Sequence, residues 1–291
     1  MSCPDCFKGA VHDHSEPKGQ FKTIHGKRTY VASPPSTSSS QSTIIFVCDA
    51  FGLNLVNNKL LADAYAAETG HRVIVPDLIP GGGVSLNVIN VMDTIGEKVA
   101  WWNIWGQLKR AGAILLAIRY FVPFLIRAQP AKALPDCLDF ARKVKAELPP
   151  GAKLGICGFC WGGYISTNLC SEPAVEGGSE RLIDAQFCAH PSAVKAPDQI
   201  VNAVTKFKVP YSLAHGSLDF NLTNKKVEEV EAILREQVGR GEGENGVHYE
   251  FKIYQDCRHG FAARAKPGDK VELQGAEDAK IQAIEWFKKW L

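Results

Sequence analysis

No charge of one sign dominates this sequence. Its 33 Lys and Arg stand against 31 Asp and Glu, a formal charge of +2, and no basic block breaks the mixture, so nucleic acid is not an expected partner. An apolar leader is missing after Met1-Ser2-Cys3-Pro4-Asp5, so no secretory signal is read. No apolar run suffices for a spanning helix: the longest, Ala111 to Ile126, is interrupted by Arg119 and Pro123. Gly81-Gly82-Gly83 lacks the strand-to-helix context and the G-x-G-x-x-G spacing of a dinucleotide loop. These absences predict a cytoplasmic chain with neither membrane nor nucleic acid as partner and no cofactor.

What is present is ordinary globular composition, 45% hydrophobic and 22% charged over 291 residues, enough for one large α/β domain or two small ones. The nine cysteines are an odd number, and most sit inside apolar runs rather than in a loop framework. They read as reduced thiols.

Residues 1–40 read as an irregular segment packed on a single domain that covers 25–291. Within it, Cys3-x-x-Cys6 followed by His12 and His14 offers ligands of the kind zinc takes. The two histidines are too close for the usual finger spacing, so no metal is assigned. Lys27 to Ala32 fits an early edge strand, and Ser33 to Ser40 is a polar loop. Thr43 to Cys48 is β-branched and apolar, as a central parallel strand requires. A helix from about Asn57 to Thr69 and a strand from Arg72 to Val75 complete a βαβ unit, which makes the sheet parallel.

From Pro80 to Pro130 the pattern turns helical and aromatic, with Trp101, Trp102, Trp105, Tyr120, Phe121 and Phe124. It reads either as an ordinary covering helix or as a cap shaping an apolar pocket. Ala131 to Leu148 is an amphipathic helix. Further strands are expected at Leu154–Cys157, Asp184–Ala189, Pro210–His215 and Val247–Tyr254, with helices at about Trp161–Cys170, Thr223–Val238 and Gly275–Leu291.

Gly158-Phe159-Cys160-Trp161-Gly162 carries a candidate chemistry. A nucleophile on a strained strand-to-helix turn needs small neighbours two residues before and after it. The following helix aims N–H groups and a positive dipole end at the side chain, which favours a thiolate. In an open parallel sheet, functional groups gather beyond the C-terminal strand ends. Asp49, Cys160, Asp219 and His259 all fall there. Nucleophile, then acid, then histidine is the α/β-hydrolase order: Cys160 attacks an acyl carbon, His259 moves the proton, and Asp219 orients the imidazole. The backbone N–H groups of Trp161 and Ala50 are the expected oxyanion donors. His215 reads as a structural hydrogen-bonding residue and Asp256 as a loop residue. His190 and Phe51 are candidate pocket-lining residues.

These motifs resemble the dienelactone hydrolase family. The matching pieces are Asp49-Ala50-Phe51-Gly52-Leu53-Asn54, Val75-Pro76-Asp77-Leu78, Gly158 to Gly163, His215-Gly216-x-x-Asp219 and His259-Gly260-Phe261, in family order over about residues 25–291. The Cys-Pro-x-Cys opening resembles the fungal branch. The resemblance implies an α/β-hydrolase fold: a mostly parallel central sheet with helices on both faces and a helical insertion near residues 80–130. It implies ester or lactone hydrolysis through an acyl-enzyme on Cys160, with Asp219 and His259 as partners. It also implies that Asp49 activates the thiol, where bacterial members carry glutamate. Bacterial members bind a substrate carboxylate with an arginine four residues after the histidine; here that position is Ala263, and Arg264 lies one further on as a candidate contact. The expected partner is a small ester or lactone, and homodimerisation is left open. The alternatives are a tailoring enzyme on a polyketide-like substrate and a non-catalytic binding or redox-sensing protein that keeps the fold.

Overall fold

The β-branched runs pair into one sheet because each is apolar on both of its faces. The computed structural model describes residues 16–96 and 99–291; the Cys3, Cys6, His12 and His14 grouping lies outside them. In chain order the elements are β1 (Gln20–Ile24), β2 (Lys27–Ala32), β3 (Thr43–Val47), α1 (Val56–Thr69), β4 (Arg72–Pro76), α2 (Asn87–Gly96), α3 (Ile104–Arg127) and α4 (Pro130–Ala146). Then come β5 (Leu154–Phe159), α5 (Trp161–Leu169), β6 (Ala185–Ala189), α6 (Asp198–Thr205), β7 (Tyr211–Gly216), α7 (Asn224–Val238), β8 (Tyr249–Tyr254), α8 (Phe261–Arg264) and α9 (Lys270–Trp290).

The eight strands lie in the order β1-β2-β4-β3-β5-β6-β7-β8. From β4 to β8 every pairing is parallel, while β1 and β2 join antiparallel. Side chains alternate across the sheet as period two demands. On β3, Ile45 and Val47 enter one core with α4, α5, α6 and α7, whereas Ile44 and Phe46 enter the other with α1, α8 and α9. Helices therefore cover both faces, as expected for an α/β-hydrolase fold.

Three expectations need correction. β2 is not the edge strand, because β1 pairs outside it, Gln20 opposite Val31. The sequence hid β1 because that strand is mostly exposed and shows no apolar alternation. Second, α6 stands between β6 and β7, where no element was expected. Third, α9 begins at Lys270 rather than Gly275, because the Asp269 carboxylate caps it by accepting from the N–H groups of Val271 (3.1 Å) and Glu272 (3.2 Å).

The insertion is helical, but its tryptophans do not roof a pocket. Trp101, Trp102 and Trp105 are 83%, 69% and 82% exposed, and Phe124 is the one α3 residue that is fully buried. The inner face of α3 packs on α2, and Arg127 fastens its end by donating to the Pro80 and Gly82 carbonyls, both at 3.1 Å. Among the described residues no single helix is long and apolar enough to cross a membrane.

Candidate active site

The turn between β5 and α5 holds Cys160 at φ 51° and ψ −109°, a left-handed conformation that costs a residue with a Cβ on the order of 1–3 kcal/mol. Only glycine fits on either side. A Cβ on Gly158 would stand 2.2 Å from the Gly162 carbonyl oxygen, and one on Gly162 would stand 2.2 Å from that of Val47. The turn is then held by backbone bonds, Cys160 N–H to Ala189 O at 3.3 Å and Gly162 N–H to Cys48 O at 3.1 Å. The thiol is thereby fixed, half-buried, above the ends of β3, β5 and β6.

β7 and β8 deliver the other two groups. Asp219 lies three residues beyond β7 and is buried, and His259 sits on the turn after β8. His259 Nδ1 donates to the Asp219 carboxylate at 2.9 and 3.0 Å. Ser192 Oγ stands 3.3 Å from Cys160 Sγ and 3.3 Å from His259 Nε2. The Asn221 side-chain amide lies 3.3 Å from His259 Nδ1.

The electrostatics follow from these contacts. Burial alone would keep the Cys160 thiol neutral, and the Asp49 charge works in the same direction. The neighbouring His259 imidazole and its charge, with the Ser192 hydroxyl standing between the two, outweigh both, so the thiol pKa falls below its ordinary value. Burial likewise pulls His259 down, but its bond to Asp219, the nearby Cys160 sulfur and the negative charges of both win, and its pKa rises to about 9. The two shifts run in opposite directions, the thiol toward thiolate and the imidazole toward imidazolium.

The other described cysteines give the contrast. Cys48, Cys137, Cys157, Cys170, Cys188 and Cys257 are all buried, and burial pushes every one of them up, Cys137 to about 12 and Cys257 to about 11. What separates Cys160 is its imidazole partner.

Among the described residues, the N–H groups of Trp161 and Ala50, the expected oxyanion donors, have no acceptor. Trp161 N–H is orphaned because it opens α5. The Trp161 indole turns away and donates to the Ala128 carbonyl at 2.7 Å, just past the end of α3.

Asp49 stands elsewhere than its expected role requires. Its carboxylate accepts from Arg264 Nε at 3.2 Å, Asn58 Nδ2 at 3.1 Å and the Phe51 N–H at 3.2 Å. Among the described residues no hydrogen bond joins it to the thiol, and its charge raises the thiol pKa rather than lowering it. Arg264 stacks on the Phe51 ring, 4.7 Å to the centroid, so Asp49, Phe51 and Arg264 brace the loop that follows β3.

His190 corrects another expectation. It is fully buried, edge-on to His259 with ring centroids 5.1 Å apart, and packs behind the imidazole instead of facing a substrate. Neither of its ring nitrogens has a hydrogen-bond partner among the described residues, and burial pulls its pKa well down, so it stays neutral. His215 is structural as expected, paired through Nε2 with Asn224 Oδ1 at 2.8 Å. Asp256 is an exposed loop residue whose N–H donates to Ser217.

The sequence reading missed Ser192, Asn221 and Asn58. Ser192 had a signal, since His190-Pro191-Ser192 follows a strand end where functional groups collect. Asn221 and Asn58 had none beyond their nearness to Asp219 and Asp49.

The sequence model described as the Dienelactone hydrolase family matches residues 28–291. "Dienlactone hydrolase 1" of Gibberella moniliformis is 27% identical over 288 residues, 98% of this chain and 93% of that protein. A solved structure from Klebsiella pneumoniae superposes with a TM-score of 0.60 at 18% identity, covering 94% of this chain and 98% of that one. The solved dienelactone hydrolase of Anabaena variabilis gives a TM-score of 0.53 at 13% identity, covering 95% and 98%. At such identities the two structures speak for the fold.

Proposed function

The chain belongs to the dienelactone hydrolase family, whose members hydrolyse esters and lactones, and from this we propose that it does so through an acyl-enzyme on Cys160. The observation that carries the proposal is the Asp219–His259–Cys160 line, with its 2.9 Å carboxylate–imidazole bond ending at a thiol whose pKa is lowered.

The thiolate attacks the acyl carbon, and the developing oxyanion is received by the N–H groups of Trp161 and Ala50. As the carbon–oxygen bond breaks, His259 Nε2 gives its proton to the departing alkoxide or enolate, leaving a thioester and a neutral imidazole. Acylation consumes the thiolate that had helped hold His259 charged, so the imidazole pKa falls and it becomes a base for the second step. It then takes a proton from water, whose oxygen attacks the thioester carbonyl; the acid leaves and the thiolate–imidazolium pair returns. A thiolate expels activated alkoxides and enolates readily but amines poorly, which favours lactones and small esters over peptides. Asp49, with Arg264, acts through the loop that carries Ala50 and Phe51.

Turnover of aryl esters and enol lactones by the wild type, Cys160→Ala and His259→Ala tests this, together with mass spectrometry of the acylated chain. Both variants should lose turnover and Cys160→Ala should carry no acyl group. Unchanged rates would sink the proposal.

A further inference from the structure

The helix α3 faces the wrong way for a soluble protein. Its 24 residues extend about 36 Å, and its outward side carries an apolar stripe along that length, with exposed Arg119 at its edge. Ile104, Leu108, Leu115, Ile118, Val122 and Ile126 are all exposed, and their spacing of i, i+4, i+11, i+14, i+18 and i+22 lines them up in one stripe. Exposed Trp105 and Leu116 widen it on one flank. A contiguous apolar surface of this size marks an interaction site rather than scattered surface hydrophobes.

Two further features identify the occupant. Trp101 and Trp102 join Trp105 at the start of the helix, three exposed indoles together, and indoles favour the water–hydrocarbon boundary, where one ring serves both sides. Between Val99 and Pro135 the sequence contains no Asp or Glu, while Lys109, Arg110, Arg119 and Arg127 lie on the helix. We propose that α3 seats the protein on a lipid bilayer bearing anionic headgroups, lying in the interface plane with its stripe among the acyl chains. A second copy of the chain suits the surface less well. Symmetric pairing of two such helices would bring cations toward cations, and the stripe is broader than the seam of a helix pair.

The surface is continuous with the site. The carbonyl of Ala128, one residue past α3, accepts from the Trp161 indole beside the nucleophile. Val84 N–H donates to Ala50 O at 2.8 Å, joining the insertion to the oxyanion loop. A seated α3 therefore holds the elbow next to the lipid surface.

The test sediments the full chain with vesicles of phosphatidylcholine alone and of phosphatidylcholine mixed with phosphatidylserine, and follows tryptophan emission. Binding should be stronger to the mixed vesicles, weaken with added salt, and shift the emission to the blue. The double variant Leu115→Glu/Ile118→Glu should partition at least about tenfold less, with its thermal melt showing that it folds. Arg119→Glu, a single exposed charge reversal, should lose the preference for phosphatidylserine even if the double variant fails to fold. Failure to bind either vesicle overturns the proposal, as does equal binding to both. So does a wild-type dimer that Leu115→Glu disperses, since the stripe then belongs to a second copy. None of these readouts needs turnover, so they stand or fall apart from the hydrolase proposal.

Discussion

Replacing Asp219 by Asn removes the charge behind His259 while keeping an oxygen in place. In the native chain the imidazole pKa is raised from 6.5 to about 9, a preference for the charged form on the order of 3 kcal/mol. His259 is nearly buried, with its side chain 9% exposed, so solvent screens little of this. Asp219 and Cys160 share the effect, and an energy of that size sets a ceiling of about three hundredfold on what the thiolate can lose. An amide at position 219 also presents N–H to Nδ1, which forces the proton onto Nε2 and leaves that nitrogen unable to take the thiol proton. Asp219→Asn should therefore slow iodoacetamide alkylation of Cys160 at pH 6 to 7 by between about tenfold and a hundredfold. Its acid limb should move up toward the ~8.5 of a free thiol. The sign is set by both partners. In the wild type, alkylation falls only when pH drops through the lowered pKa of Cys160; above about 9, where His259 loses its proton, alkylation continues but ester turnover falls for want of an acid. The amide can still accept the Asn221 N–H bond now made at 2.8 Å, and a thermal melt checks that the fold survives. An acid limb identical in variant and wild type would refute the reasoning, because Asp219 would then have no hold on the ion pair.

Ser192→Ala removes a hydroxyl 3.3 Å from both the sulfur and Nε2. The loss of one such bond, about 1 kcal/mol, should reduce kcat/KM by roughly fivefold; a loss as complete as that of Cys160→Ala would instead make the hydroxyl an obligatory proton carrier. Asp49→Asn withdraws a charge that raises the thiol pKa, so the alkylation midpoint should shift to lower pH; a shift to higher pH would restore Asp49 as the activating group. Gly162→Ala drives a Cβ to 2.2 Å from the Val47 carbonyl, and overpacking against rigid backbone should cost about 1–3 kcal/mol in a denaturant melt as well as displacing the thiol.

The parallel strands were legible because both faces of the sheet are covered, and runs such as Ile44-Ile45-Phe46-Val47 have no other stable home. β1 was not, because its five residues are mostly exposed and only Phe21, against Tyr30 and Arg28, and Ile24 pack. The positions of Cys160, Asp219 and His259 were legible as strand-end residues in a fixed order. The partner of Asp49 was not, since Arg264 lies 215 residues away in sequence and nothing local announces that a guanidinium will arrive. Ser192 was legible on the same grounds as His190, since both follow the end of β6. The tryptophans of the insertion misled for a different reason: aromatic content signals a surface to be covered, without saying by what.

The contrast among the cysteines has a consequence for how this protein ages. Peroxide attacks thiolates far faster than thiols, and of the described sulfurs only Cys160 has its pKa lowered while the six buried ones are held neutral. Oxidative damage should therefore strike the nucleophile first, as a sulfenic acid, and leave the core packed. A sample exposed to air would lose function long before it lost its fold, and a reducing thiol added early enough would bring it back.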